Sequence, residues 1–171
     1  DTPRAANGSA QDVLQATPCE LPLTLISENV RKGYSCDVID GFRATDSAWV
    51  GFIDSDGQCD PADFAAFLKN RDVADLVLGW RNPRADQWVR KAMSGAFGCV
   101  YRLLFAVRQR DPSCPYLLIR RDALQKILAG QVGILKQGFW WEFLARALAN
   151  GLRVVEIPVR HRLRASGVTQ V

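Results

Sequence analysis

Apolar residues recur along the chain in short blocks whose period switches between two and about 3.6, and those switches mark its elements. Trp49-Val-Gly-Phe-Ile reads as a buried-type strand over 49–54, ended abruptly by two carboxylates spaced two apart, Asp54 and Asp56. Further strands are expected over 21–27, 74–80 and 116–119, and a last one over 152–157 that Pro158 stops. The helical periods fall between them. A short helix capped by Ser9 reaches residue 17, and a helix over 34–44 carries Val38, Ile39 and Phe42 on one side. The helix over 61–70 opens with Asp60 as N-cap and Pro61 in its first position. A long helix covers 87–107 despite Gly95 and Gly98, each costing about 1 kcal/mol relative to alanine. Those glycines mark either close packing or a break. Helices over 121–128 and 139–150 follow, the latter ending at Gly151 as a left-handed cap. Alternation of this kind predicts an α/β fold, a mostly parallel sheet with helices on both faces. With no internal repeat, low-complexity segment or linker, residues 1–171 read as one domain.

Composition adds bounds. The 171 residues are 48% hydrophobic and 23% charged, enough for one core and unlike a disordered chain. No apolar run approaches the ~20 residues that span a bilayer, and no leader opens the chain. Five scattered cysteines, no Cys-x-x-Cys pair and a single histidine argue against a zinc site or a disulfide framework. A reducing cytoplasmic setting is the simpler expectation. The net charge of +4 conceals an asymmetry: residues 1–100 hold 10 Lys and Arg against 14 Asp and Glu, residues 101–171 hold 12 against 4. Clustered arginines such as Arg160, Arg162 and Arg164 suit an anionic partner, or simply a solvated surface.

The acidic strand end carries the chemistry. Asp54 and Asp56 share a side because side chains alternate along a strand, and Gly57 permits the tight turn after them. Open α/β sheets bind ligands at the carboxyl ends of their strands. Two hard oxygen donors, with Gln58 nearby, suit Mg²⁺ or Mn²⁺ bridging to a diphosphate. An ordinary acidic turn is the competing explanation, and capping accounts fully for Asp60. No Gly-x-Gly-x-x-Gly follows a strand and no P-loop is present, which disfavours a dinucleotide oxidoreductase and a P-loop enzyme. No nucleic-acid partner is expected: Trp140 and Trp141 sit where core or groove packing explains them better than base stacking.

Several linked motifs sharpen this. Asp54-Ser-Asp56-Gly-Gln58-Cys-Asp60-Pro61, Leu78-Gly-Trp-Arg81, Phe139-Trp-Trp-Glu142 and Val155-Glu-Ile-Pro-Val-Arg-His-Arg-Leu-Arg164 resemble, in order and spacing, family 2 glycosyltransferases of the dolichyl-phosphate mannose synthase type. The resemblance runs from Val30 onward. It implies a GT-A (Rossmann-like) fold, a UDP- or GDP-sugar donor, Mg²⁺ or Mn²⁺, and an acceptor that is commonly a polyprenyl phosphate and otherwise a glycan. Attachment at the inner membrane face follows from such an acceptor. On this resemblance Asp54, Asp56 and Gln58 are metal and donor-diphosphate ligands, with Arg81 and, more weakly, Arg90 on phosphate. Glu142 is the acidic residue beside the acceptor, as base or positioning group, although a glutamate in a first helical turn also complements the helix dipole. Arg162 and Arg164 grip the acceptor phosphate. Asp111 lies on the acceptor side, where turn formation explains it equally well.

The N-terminus departs from the family. Its first strand, which holds the nucleobase, has no counterpart, and Asn7-Gly-Ser9 keeps only the tail of an expected acidic motif. Gln170 stands where a basic residue is common. Either the chain is a piece of a longer inverting hexosyltransferase or it is a degenerate homologue that binds a membrane surface or another anionic partner. An incomplete sheet is expected to leave the isolated chain poorly stable.

Overall fold

Val38, Ile39 and Phe42 recur at helical spacing, and together they form the buried face of the first helix, α1 (Tyr34–Arg43). In this computed structural model the described residues are 22, 24, 26, 32–82, 88–105, 107–129 and 138–162, with the side chains of 89–91 excluded. The expected helix over 9–17 lies outside them, as does most of the strand over 21–27. Contacts divide the chain into two units, 1–32 and 33–171, and every element described belongs to the second. After α1 come β1 (Trp49–Ile53), a 3₁₀ turn (Pro61–Asp63) running into α2 (Phe64–Lys69), β2 (Leu76–Arg81) and α3 (Trp88–Phe105). Then follow β3 (Tyr116–Arg120), α4 (Arg121–Leu128), α5 (Phe139–Ala149) and β4 (Val154–Val159).

The strands form an open sheet in the order β1-β3-β2-β4. The expectation of a mostly parallel sheet needs correction: among the described residues β3 runs antiparallel to both β1 and β2, and only β2 and β4 pair in parallel. The cause is the segment after α3, which returns the chain to the edge where β1 and β2 end. β3 enters from that edge and runs back between them, then passes directly into α4. Three strands therefore still point the same way, so β1, β2 and β4 deliver their C-terminal residues to one edge. The start of β3 lies there too.

Period-two alternation sorts the sheet residues to two cores. Val50, Leu76, Leu78, Leu117 and Ile119 face α1, α4 and α5. Val77, Tyr116, Leu118, Ile157 and Val159 face Phe67 of α2. Helices thus cover both faces, and each large side chain buried between them stabilises the fold by about 1.5–3 kcal/mol. Gly51 is required by packing, since a Cβ there would stand 2.8 Å from the Phe64 ring. Gly79 is enclosed similarly, 3.1 Å from Val159 and 3.2 Å from the Tyr116 carbonyl.

Two further expectations change. Pro158 does not stop the last strand; it lies within β4, in register with Trp80. β4 ends the sheet order among the described residues, and an edge strand tolerates a residue without an N–H. Gly95 and Gly98 do not break α3, and among the described residues no atom beyond the helix's own backbone lies within 4 Å of a Cβ built at either.

Asp75 secures the opposite edge. It accepts the Arg153 amide at 2.8 Å and pairs with the guanidinium groups of Arg153 and Arg120 at 3.4 and 3.1 Å. The hydrogen bond from the Arg153 amide, followed by that from its side chain, holds the Asp75 carboxyl below its usual range. A depressed carboxyl contributes stability that is present above its unfolded pKa, about 3.9, and lost as pH falls through the folded value. Asp75→Asn is therefore expected to destabilise the fold by about 1–3 kcal/mol at neutral pH. In urea unfolding, the gap between the two proteins should narrow as pH drops below about 4.

Candidate functional site

β1 ends at Ile53, and the next residues alternate in exposure: Asp54, Asp56 and Gln58 are half-buried, whereas Ser55 and Gly57 face solvent. The three oxygen-bearing side chains therefore lie along one side of the strand exit. Gly57 adopts φ 73°, the left-handed conformation that closes the turn. Asp56 Oδ1 accepts the Gln58 amide at 3.0 Å, so this carboxylate shapes its own loop. Asp54 Oδ1 accepts the Tyr34 hydroxyl at 2.9 Å, and that hydroxyl in turn accepts the Trp140 indole N–H at 2.9 Å.

The end of β4 is stitched to this turn. The Arg162 amide donates to the Gln58 carbonyl at 2.8 Å, the Gln58 side-chain amide donates to the Arg162 carbonyl at 3.3 Å, and Cys59 bridges His161. Asp60 does more than cap. Its Oδ1 accepts the Ala62 amide at 3.0 Å, as expected, while its Oδ2 meets Arg162 at 2.5 Å and Arg160 at 3.2 Å. Arg160 also pairs with Asp63 at 2.7 Å. Between these chains the Cys59 thiol is buried, and burial pushes its pKa up to about 11, so it packs as an apolar group and is no nucleophile.

Arg81 is the last residue of β2, one position before the loop where it was expected. It holds Asp111 in a two-pronged grip, Nε to Oδ2 at 2.6 Å and Nη2 to Oδ1 at 2.7 Å, and donates to Ser113 Oγ at 2.8 Å. The two side chains are 11% and 10% exposed. The donor-side arginine and the acceptor-side acid of the sequence reading are thus one ion pair. Glu156 of β4 fixes the same loop by accepting the amides of Arg110 and Asp111 at 2.9 and 3.1 Å. Burial holds the Glu156 carboxyl above its usual range despite those bonds.

Glu142 lies in the first turn of α5. Its Oε1 accepts Arg146 Nε at 2.8 Å, and its Oε2 is buried with no hydrogen-bond partner among the described residues. With Arg146 it borders a groove of about 490 Å³ otherwise lined by Phe97, Tyr101, Phe105, Trp141 and alanines. Beside it, a smaller recess of about 130 Å³ opens against Gly95 and Gly98, with Ser94, Arg102, Arg110, Asp111 and Ser113 in its walls. Arg110 stacks over Trp80, 4.9 Å from the ring centroid.

The sheet edge therefore brings together Asp54, Asp56, Gln58, Arg81, Asp111 and Arg162, with Glu142 reached across α5. Arg164 lies outside the described residues, as does the side chain of Arg90, which falls in the first turn of α3. Tyr34, Asp63 and Glu156 were not singled out from sequence. Each meets its partner across 20 or more positions, and no local pattern announces such a contact.

Two carboxylates at a strand exit fit a Mg²⁺ or Mn²⁺ that completes its shell with phosphate oxygens and water. Among the described residues no group of three or more His, Cys, Asp or Glu side chains forms a metal cage. Such an ion would depend on the ligand's oxygens as much as on the protein's.

No family model matches the chain. It is 34% identical over 148 residues to an uncharacterized glycosyltransferase of Mycobacterium tuberculosis, covering 82% of this chain and 65% of that protein. It is 30% identical over 125 residues to the polyprenol monophosphomannose synthase of Mycolicibacterium smegmatis, covering 70% of this chain and 47% of the synthase. Identity to the undecaprenyl-phosphate mannosyltransferase of Micrococcus luteus is 27% over 124 residues, covering 70% of this chain and 51% of that enzyme. The chain spans less than two thirds of the first of these relatives, 65%, and about half of the other two. The chain is thus similar to glycosyltransferases, two of which are named for transfer to polyprenyl phosphates, and this similarity supports a polyprenyl-phosphate glycosyltransferase-like family.

Proposed function

We propose that this chain forms the catalytic face of an inverting, GT-A-type transferase that moves a sugar from a UDP- or GDP-sugar to a polyprenyl phosphate. The observation that carries the reading is the convergence at one sheet edge of the acidic turn with Arg81 and Arg162, the latter bonded through its backbone to Gln58 at 2.8 Å. A sugar leaving a nucleoside diphosphate deposits charge on the β-phosphate, and fixed cations offset that charge without proton transfer. Asp54, Asp56 and Gln58 would hold the Mg²⁺ or Mn²⁺ against the diphosphate, where the ion supplies Lewis-acid stabilisation of the leaving group. A lipid phosphate is already an anion and needs little help from a base, so positioning dominates. The recess walled by Ser94, Arg102, Arg110 and Ser113 offers two cations and two hydroxyls of the kind a phosphate takes, and the one carboxylate in its wall, Asp111, is held by Arg81. Glu142 then acts as a positioning group. A glycan acceptor is the second reading, and the unpartnered Glu142 Oε2 favours it, because an acceptor hydroxyl would satisfy that atom and Glu142 would serve as its base.

A lipid acceptor demands a route to the bilayer, and α3 supplies one. Trp88, Met93, Phe97, Leu103 and Leu104 are between 55% and 83% exposed on it. From 88 to 110 the sequence has five Lys and Arg and no Asp or Glu. Exposed apolar groups flanked only by cations suit the surface of an anionic leaflet, which supports a peripheral position at the inner membrane face. Among the described residues no helix is long and apolar enough to cross a membrane.

Titration calorimetry of the full polypeptide with UDP- and GDP-sugars tests the reading. Mn²⁺-dependent donor binding is expected, and Asp56→Ala should lower turnover by about 10²–10³ fold. A folded protein that binds no donor with or without metal would leave only a non-catalytic anion-binding role. Leu103→Glu with Leu104→Glu should abolish co-sedimentation with phosphatidylglycerol vesicles while sparing binding of the soluble donor.

A further inference from the structure

The geometry points to Tyr34 as a positioning residue that fixes the Asp54 carboxylate and ties it mechanically to α5. This inference rests on the proposed reading of the acidic turn as the donor-diphosphate site. An indole nitrogen can only donate, so the Trp140 N–H at 2.9 Å consumes an acceptor site on the Tyr34 oxygen. The Tyr34 proton is then directed at Asp54 Oδ1, also at 2.9 Å. Donor direction along the whole line Trp140 to Tyr34 to Asp54 follows from chemistry alone, and each bond polarises the next.

Packing holds the line in place. Trp140 is 8% exposed, its ring 4.8 Å from Phe52 of β1 and 5.6 Å from Phe143 of α5. Phe52 precedes Asp54 by two residues, so the cluster that orients the indole also grips the strand delivering the carboxylate. Tyr34 meets Trp140 edge-on at 6.5 Å and stands first in α1, directly after Gly33 at φ 95°. A carboxylate at a strand exit otherwise rotates about two side-chain bonds, and a fixed donor removes much of that freedom before a ligand arrives.

The same indole belongs to the helix that carries Trp141 and Glu142 into the apolar groove. A ligand that shifts α5 from the groove side therefore acts on Asp54 through two hydrogen bonds. The acceptor and donor sides of the reaction share one short mechanical link.

The test uses the full polypeptide with Tyr34→Phe, Trp140→Phe and the double variant. The readouts are free Mn²⁺ by electron paramagnetic resonance in the presence of UDP, donor KM and kcat, and melting temperature. Tyr34→Phe keeps the ring and is expected to weaken Mn²⁺ binding about five- to tenfold and to raise donor KM in step, with the melting temperature unchanged. Trp140→Phe should shift both in the same direction, and the double variant should be no worse than Tyr34→Phe, because Trp140 acts through the hydroxyl. Parental Mn²⁺ affinity and KM in Tyr34→Phe would overturn the inference and leave the proposed function standing. Fully additive effects in the double variant would overturn the link to α5. A parent polypeptide that binds no Mn²⁺ with the nucleotide would overturn both the function and the inference.

Discussion

Arg81 and Asp111 set the geometry of the sheet edge because neither can be buried without the other. An isolated charge at about one-tenth exposure would cost several kcal/mol in desolvation, whereas a two-pronged guanidinium–carboxylate grip satisfies both groups. That grip pulls the loop before β3 onto the end of β2, and Glu156 holds the same loop by its amides. From the fixed loop β3 enters at this edge and runs back between β1 and β2. Ser113, which accepts from Arg81, and the recess beside α3 adjoin the same buried pair.

The other arginines at the edge are engaged in the same manner. Arg160 and Arg162 lie against Asp60 and Asp63, so every described arginine facing the acidic turn already has a carboxylate partner. Under the proposed function, an incoming diphosphate must exchange with those carboxylates. A bare anion would leave Asp60 stranded beside Asp54 and Asp56, while an anion accompanied by a divalent cation would not. On that proposal, pairing within the protein would bias the site towards a metal-bound diphosphate over free phosphate.

The elements were legible because their signals are local. The apolar run at Trp49, the proline after Asp60 and the helical spacing of Val38, Ile39 and Phe42 each fix an element within a few residues, and α4 falls over the residues its period marks. Strand direction was not legible, since Tyr-Leu-Leu-Ile-Arg is the same run whichever way it is threaded. Pro158 misled for a related reason: its missing N–H matters only between two partners, and sheet order decides that. The acidic turn could be located from sequence, but the supports of Asp54 could not, because Tyr34 and Trp140 are 106 positions apart. Asp60 was read through its neighbour Ala62, and its contact with Arg162 across 102 positions escaped that reading.

The charge asymmetry between the two halves of the chain takes on a different meaning in the folded state. Read along the sequence, an acidic first part and a basic second part suggest an external anion for the arginines. In the fold much of the imbalance is neutralised internally: Asp60 and Asp63 take Arg160 and Arg162, Asp75 takes Arg120 and Arg153, and Asp111 takes Arg81. Among the described residues, Arg102, Arg108 and Arg110 enter no ion pair, and they cluster at the end of α3 and just beyond it. Three cations without an ion pair therefore stand next to the exposed apolar side chains of that helix. Under the proposed function, cation and apolar surface together would discriminate against a purely polar partner and against uncharged lipid alike, and an anionic leaflet would satisfy both at once.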